Sequence, residues 1–141
     1  MANALSAKQV SVSFDGLKAL SNVTLSVPRG EVIGLIGPNG AGKTTFVNVL
    51  TGFQQPDTGQ VLLDDEDVGH LKPHLMRRRG IARTFQSGRL FAELSVLDNL
   101  EVTGVGLGLS RREAAEKAEA MLDWIGISSL AERTAGGLPY T

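Results

Sequence analysis

No cysteine occurs among the 141 residues, which excludes disulfide frameworks, thiolate zinc sites and cysteine nucleophiles and suits a reducing compartment. An excess of one charge is missing too: 14 Lys and Arg stand against 15 Asp and Glu. With that balance no global field draws the chain to nucleic acid or to anionic lipid, so no nucleic-acid partner is expected and any anion site must be built locally. Apolar runs of about 18 residues, the length that crosses a bilayer, are also lacking. Met1 to Val10 shows no basic stretch followed by an apolar run. The expectation is a chain that is neither secreted nor membrane-spanning. What is present, 42% hydrophobic residues, suffices for one core and a single globular domain.

Alternation opens the chain. Val10, Val12 and Phe14 are followed by Asp15-Gly16 as a turn, then by Val23, Leu25 and Val27 up to Pro28-Arg29-Gly30, so residues 1–30 predict a small antiparallel pair. At Glu31 the pattern changes. Val32-Ile33-Gly34-Leu35-Ile36 is apolar without alternation, as expected of a strand covered on both faces in a parallel sheet. Phe46, Val47 and Leu50 fall on one side of a helix over 44–50, with Gly52 at its left-handed end. Residues 60–64 predict a strand turned by Asp64-Asp65, Pro73 starts a helix that stops at Gly80, and residues 81–85 read as a further strand. Ser95 with Asp98, and Ser110 with Glu113, have the spacing of capping boxes. In the second of these helices Ala114, Ala118, Met121, Leu122 and Ile125 form a stripe expected to pack, as does Trp124, and Gly126 supplies the stop.

The chemistry concentrates in Gly37-Pro38-Asn39-Gly40-Ala41-Gly42-Lys43-Thr44, which fits G-x-x-x-x-G-K-[ST] and lies between a buried-type strand and a helix. Glycines at 37, 40 and 42 allow successive amides to turn inward around phosphate oxygens. The helix start adds unpaired amides and the positive end of its dipole. Lys43 brings a full charge to the outer phosphates, the Thr44 hydroxyl can ligate Mg2+, and Thr45 can reach the inner phosphate. A fortuitous glycine turn before a lysine would not come with the strand and helix that the pattern requires. The expected ligand is a nucleoside triphosphate, ATP with Mg2+.

With Thr45 added, this loop resembles the Walker A of ABC transporter ATPase subunits, and further segments agree. Phe14-Asp15-Gly16-Leu17-Lys18-Ala19-Leu20 is similar to the stretch that carries that family's adenine-stacking aromatic, which would make Phe14 the base platform. Ile81-Ala82-Arg83-Thr84-Phe85-Gln86 resembles the approach to the Q-loop, with Gln86 as its glutamine. Arg89-Leu90-Phe91 and Leu94-Ser95-Val96-Leu97-Asp98-Asn99-Leu100 are similar to the ATPase components of branched-chain amino acid importers.

The resemblance implies an α/β fold. Its P-loop NTPase core, a parallel sheet with helices, would run over 31–141 through the Q-loop to the start of a helical subdomain. An antiparallel β subdomain would occupy 1–30, and the sequence would stop short of the signature motif and Walker B. It also implies an ATPase coupled to transport, with Lys43 and Gln86 as catalytic residues. Phe14 and residues 37–45 would bind the nucleotide, and Thr44 and Gln86 would sit on Mg2+. Partners would be membrane-spanning permease subunits and a second ATPase subunit, at the cytoplasmic face of the inner membrane. The residues read alone leave open a non-transport nucleotide-binding module of the same type or another P-loop NTPase, although no guanine-reading Asn-Lys-x-Asp run is present. Arg77, Arg78, Arg79, Arg83 and Arg89 read as a solvated basic cluster, His70 and His74 as non-metal histidines. Leu90 and Phe91 read equally well as core or as partner surface.

Overall fold

The computed structural model describes residues 3–85 and 88–138. Two compact units divide the chain, one ending at Arg83 and the other beginning at Thr84.

The first unit is built on a four-stranded antiparallel sheet. Its strands are β1 (Asn3–Phe14), β2 (Leu17–Pro28), β3 (Thr58–Leu63) and β4 (Glu66–Asp67), in the order β2-β1-β3-β4. Both hairpin turns are the two-residue kind that the sequence marks. Asp15-Gly16 joins Phe14 to its partner Leu17, and Asp64-Asp65 joins Leu63 to Glu66. All four turn residues have positive φ, the handedness that matches strand twist. β1 is longer than its alternation suggested because it carries a bulge. The register shifts between Ala7 and Val10, Gln9 takes φ 50, and Ala7 and Val10 both end up fully buried although three residues apart.

Helix α1 (Lys43–Leu50) lays Phe46 and Val49 on this sheet, and α2 (Pro73–Arg78) adds Met76. Together with Val10, Val12, Leu20, Val61 and Val68 they make one apolar core. Each fully buried valine there contributes about 1.5–3 kcal/mol. The helix ends expected at Gly52, Gly80 and Gly126 all show left-handed φ.

Two expected strands do not form. Residues 32–36 and 81–85 enter no ladder among the described residues, and Val32 and Ile36 stand 95% and 92% exposed. An apolar run becomes a strand only when a neighbour takes its amides and carbonyls, and no described segment pairs with either one. The sheet that is present is therefore the antiparallel part.

On the surface of this unit Arg79 grips Glu66 with both guanidinium nitrogens, Nη2 to Oε1 at 2.8 Å. First that hydrogen bonding and then the charge of Arg79 hold the Glu66 carboxyl below its ordinary range. The pair's contribution to stability is present above the ordinary carboxylate range and is lost as pH falls through the depressed pKa of Glu66. Arg79→Met is expected to move the Glu66 titration, followed by NMR, back up toward the usual value.

The second unit pairs α3 (Val96–Gly106) with α4 (Arg111–Ile125), followed by 3-10 turns at Ser128–Leu130 and Ala135–Gly137. Both capping boxes are formed. The Ser95 hydroxyl accepts from Asp98 N at 3.0 Å and the Ser110 hydroxyl from Glu113 N at 3.3 Å, each carboxylate accepting from the serine amide in return. The hydroxyl and amide of Ser110 hold the Glu113 carboxyl below its usual range. Ser95→Ala is expected to lower the unfolding free energy in urea by about 1 kcal/mol, the usual worth of such a cap.

Close approach of the helices rests on small residues, since a Cβ on Gly104 would meet Ala114 Cβ at 2.9 Å. Ala114, Ala118 and Leu122 are buried, but Met121, Trp124 and Ile125 are 48%, 84% and 53% exposed, contrary to the packing expected of them. A helix that meets one neighbour buries only its narrow i, i+4, i+8 line, and these three lie outside it.

Asn99 on α3 is buried. It accepts from Phe91 N at 2.8 Å and donates to Phe91 O at 3.1 Å and Ser95 O at 2.8 Å, tying the preceding loop to the helix. Leu90 and Phe91, 59% and 57% exposed, are surface residues on that loop. No helix among the described residues is long and apolar enough to cross a membrane.

Candidate phosphate-binding site

Helix α1 begins differently from α3 and α4. Its N-cap is Gly42, at φ 81 and ψ 4, with no side-chain cap and no acidic residue in the first turn. The amides of Gly40, Gly42, Lys43, Thr44 and Thr45 therefore have no acceptor among the described residues, while Ala41 N donates to Pro38 O at 3.3 Å. Unpaired amides at a helix start, with the dipole behind them, make a local anion site. Nothing in the net charge of the chain provides one otherwise.

Glycine at 42 answers two demands at once. Its φ is left-handed, and a Cβ there would lie 2.6 Å from Ala19 O and 2.9 Å from Leu20 Cδ2. The start of β2 is thereby pressed against the start of α1. Between them opens a cavity of about 500 Å³ lined by residues 39–45 with Leu17, Lys18 and Ala19. Lys43 stretches back across the loop, its Nζ donating to Gly37 O and Pro38 O at 2.7 Å each. This anchors a positive charge at the loop while keeping it solvent-accessible.

Asn39, Gly40, Ala41, Gly42, Lys43, Thr44 and Thr45 thus come together on one cavity, and Gly37 and Pro38 supply the carbonyls that hold Lys43. Phe14 is not on the lining. It ends β1 opposite Leu17, 47% exposed, and the hairpin meets the cavity through the far side of its turn. Gln86 lies outside the described residues. Sequence reasoning missed Leu17, Lys18 and Ala19. The two-residue turn after Phe14 puts these residues first on the returning strand, but their place on the cavity comes from the approach of β2 to the start of α1, a contact between segments distant in sequence.

The basic residues serve other ends. Arg83 donates to Asn48 Oδ1 at 2.6 Å and lies 5.4 Å from the Phe53 ring centroid, and Arg89 stacks 4.2 Å from that of Phe85. With Arg79 on Glu66, three of the five arginines expected to form a solvated cluster are engaged within the chain, while Arg77 and Arg78 are exposed.

A glycine loop running into an uncapped helix, beside an antiparallel β subdomain, defines a mixed α/β chain of the P-loop class. Residues 20–140 match the ABC transporter family, and the chain belongs to that family. It is 41% identical over 146 residues to the high-affinity branched-chain amino acid transport ATP-binding protein BraF of Pseudomonas aeruginosa, covering 93% of this chain and 57% of that one. Against LivG of Escherichia coli K12, which carries the same description, identity is 40% over 151 residues, covering 96% and 59%. Among solved structures, the ADP conformation of MJ1267, an ATP-binding cassette of an ABC transporter, superimposes with a TM-score of 0.85 at 34% identity. That match covers 99% of this chain and 60% of the other. A nucleotide-free ATP-binding cassette from an ABC transporter gives 0.84 at 34% identity, with 97% and 59% covered. The chain spans less than two thirds of the length of each of these relatives.

Proposed function

We propose that this chain is the nucleotide-binding part of an ATP-binding subunit of an ABC importer for branched-chain amino acids, and that it takes Mg-ATP in the cavity at the start of α1. The observation that carries the reading is the set of amides of Gly40 and of Gly42 to Thr45, without acceptors among the described residues, beside the anchored Lys43 ammonium. The names of BraF and LivG support the transport assignment.

In this reading the amides of Gly40 and of Gly42 to Thr45, with the Lys43 ammonium, hold the outer phosphates, and the Thr45 hydroxyl contacts the inner one. Thr44 would hold Mg2+. Its hydroxyl lines the cavity and has no hydrogen-bond partner among the described residues, which fits a ligand to a cation arriving with the nucleotide. A bound Mg2+ supplies charge neutralisation between the phosphates. Phe14 would stack on adenine, and Gln86 would sense the outer phosphate and Mg2+; both roles rest on the family resemblance. The partners are membrane-spanning permease subunits, met through the exposed Leu90 and Phe91, and a second ATPase subunit. The place of work is the cytoplasmic face of the inner membrane.

These residues position and neutralise charge. Among the described residues the cavity is lined by no carboxylate and no imidazole that could serve as a general base, and this supports the expectation that the chain by itself binds ATP but turns it over slowly. Calorimetric titration with Mg-ATP and Mg-GTP, paired with a phosphate-release assay, tests this. Preference for GTP, or brisk turnover that depends on Lys43, would overturn it.

A further inference from the structure

We propose that Arg83 is a positioning residue for the phosphate site: it clamps the far end of α1, and nucleotide and clamp stabilise one another through the helix. The inference rests on the reading of the start of α1 as a nucleotide site. Helix α1 is short, 8 residues or about 12 Å, and a helix of that length is marginal by itself in water. Its two ends are bare in complementary ways. The first turn holds no acidic residue and no side-chain cap, and the last turn holds no basic residue. The negative end of the dipole is therefore not compensated by the helix's own side chains.

Arg83 supplies the missing charge from elsewhere in the chain. Ile81 and Arg83 are half-buried and Ala82 between them is exposed, so the arginine is turned inward. Its Nη1 donates to Asn48 Oδ1, in the last turn of α1, at 2.6 Å and lies 3.5 Å from the hydroxyl of Thr51, the C-cap residue. That hydroxyl donates in turn to Val47 O at 2.7 Å. The guanidinium carbon also sits 5.4 Å from the ring centroid of Phe53, whose amide donates to Asn48 O at 2.9 Å. One side chain thus gathers the last turn, the cap and the residue beyond it. An anion on the first-turn amides and a cation at the last turn each favour the same aligned helix. Fixing either end lowers the cost of ordering the other, and such coupling is reciprocal.

Amide hydrogen exchange of the 141-residue protein with and without Mg-ATP tests this. Mg-ATP should slow exchange at residues 42–45 and also, at the other end of the helix, at Thr51, Phe53 and residues 81–83. Arg83→Met should weaken Mg-ATP binding, measured by calorimetry, about fivefold or more, and confine the protection to the first turn. Asn48→Ala removes the acceptor while raising helix propensity, so it should abolish the distant protection without loss of helix. Combined, the two changes should weaken binding no more than Arg83→Met alone, since both break one contact. If Arg83 merely braced the fold, both variants would shift the melting temperature and leave the pattern of ATP-dependent protection intact. That result, or wild-type protection that stops at the first turn, would overturn the assignment. Absence of any protection by Mg-ATP, at residues 42–45 included, would overturn the nucleotide reading and the assignment with it.

Discussion

Lys43→Met is expected to lower the affinity for Mg-ATP at least about a hundredfold while leaving the fold nearly unchanged. The two consequences have different origins. Among the described residues the lysine ammonium is bonded to Gly37 O and Pro38 O, on an exposed loop where water can replace it, so removing it strands no buried group there. Its loss to the ligand is larger. A unit charge about 4 Å from a phosphate oxygen near a protein surface interacts by about 4 kcal/mol, and about 2.8 kcal/mol is already a factor of a hundred. The amides of Gly40 and of Gly42 to Thr45, without acceptors among the described residues, remain and should retain a weak, salt-sensitive anion affinity. Isothermal titration with Mg-ATP beside a thermal melt checks both halves. Undiminished binding by Lys43→Met would mean that the amides alone hold the nucleotide.

Much of this site was legible in the sequence because its requirements are local. Glycine at 42 followed by lysine and threonine specifies a left-handed N-cap and a helix start with no capping side chain, and both are found. The capping boxes at Ser95 and Ser110 and the paired turn residues at 15–16 and 64–65 are equally local, and all are found. What failed depended on a distant partner. Residues 32–36 and 81–85 have the composition of strands, but composition cannot supply the neighbouring backbone that makes one. Trp124 and Met121 read as packing residues because their type is apolar, yet which line of α4 is buried depends on where α3 crosses it. Leu17, Lys18 and Ala19 escaped notice for a related reason: their place on the cavity comes from the contact between β2 and the start of α1, which no spacing in the sequence records.

That contact leads to the second large effect, at Gly42. Gly42→Val is expected to remove nucleotide binding and to destabilise the first unit by about 3 kcal/mol or more, a sizeable share of a domain's usual 5–15 kcal/mol. Left-handed φ at a residue with a Cβ costs about 1–2 kcal/mol, and forcing atoms into a packed contact adds about 1–3 kcal/mol. The obstacle here is the Ala19 carbonyl at 2.6 Å, backbone held in a paired strand rather than a side chain that can swing away. Relief would have to come from moving β2 off α1, which opens the cavity and misdirects the amides that face it. Comparing Gly42→Ala with Gly40→Ala isolates this term. Gly40 has nearly the same φ, 83 against 81, but a Cβ there meets nothing within 4 Å. Strain from the backbone angle is then common to both variants, and the clash belongs to one. Gly40→Ala should lower the melting temperature modestly and Gly42→Ala much more; equal losses would mean that backbone angle alone, and not the approach of β2, demands glycine at 42.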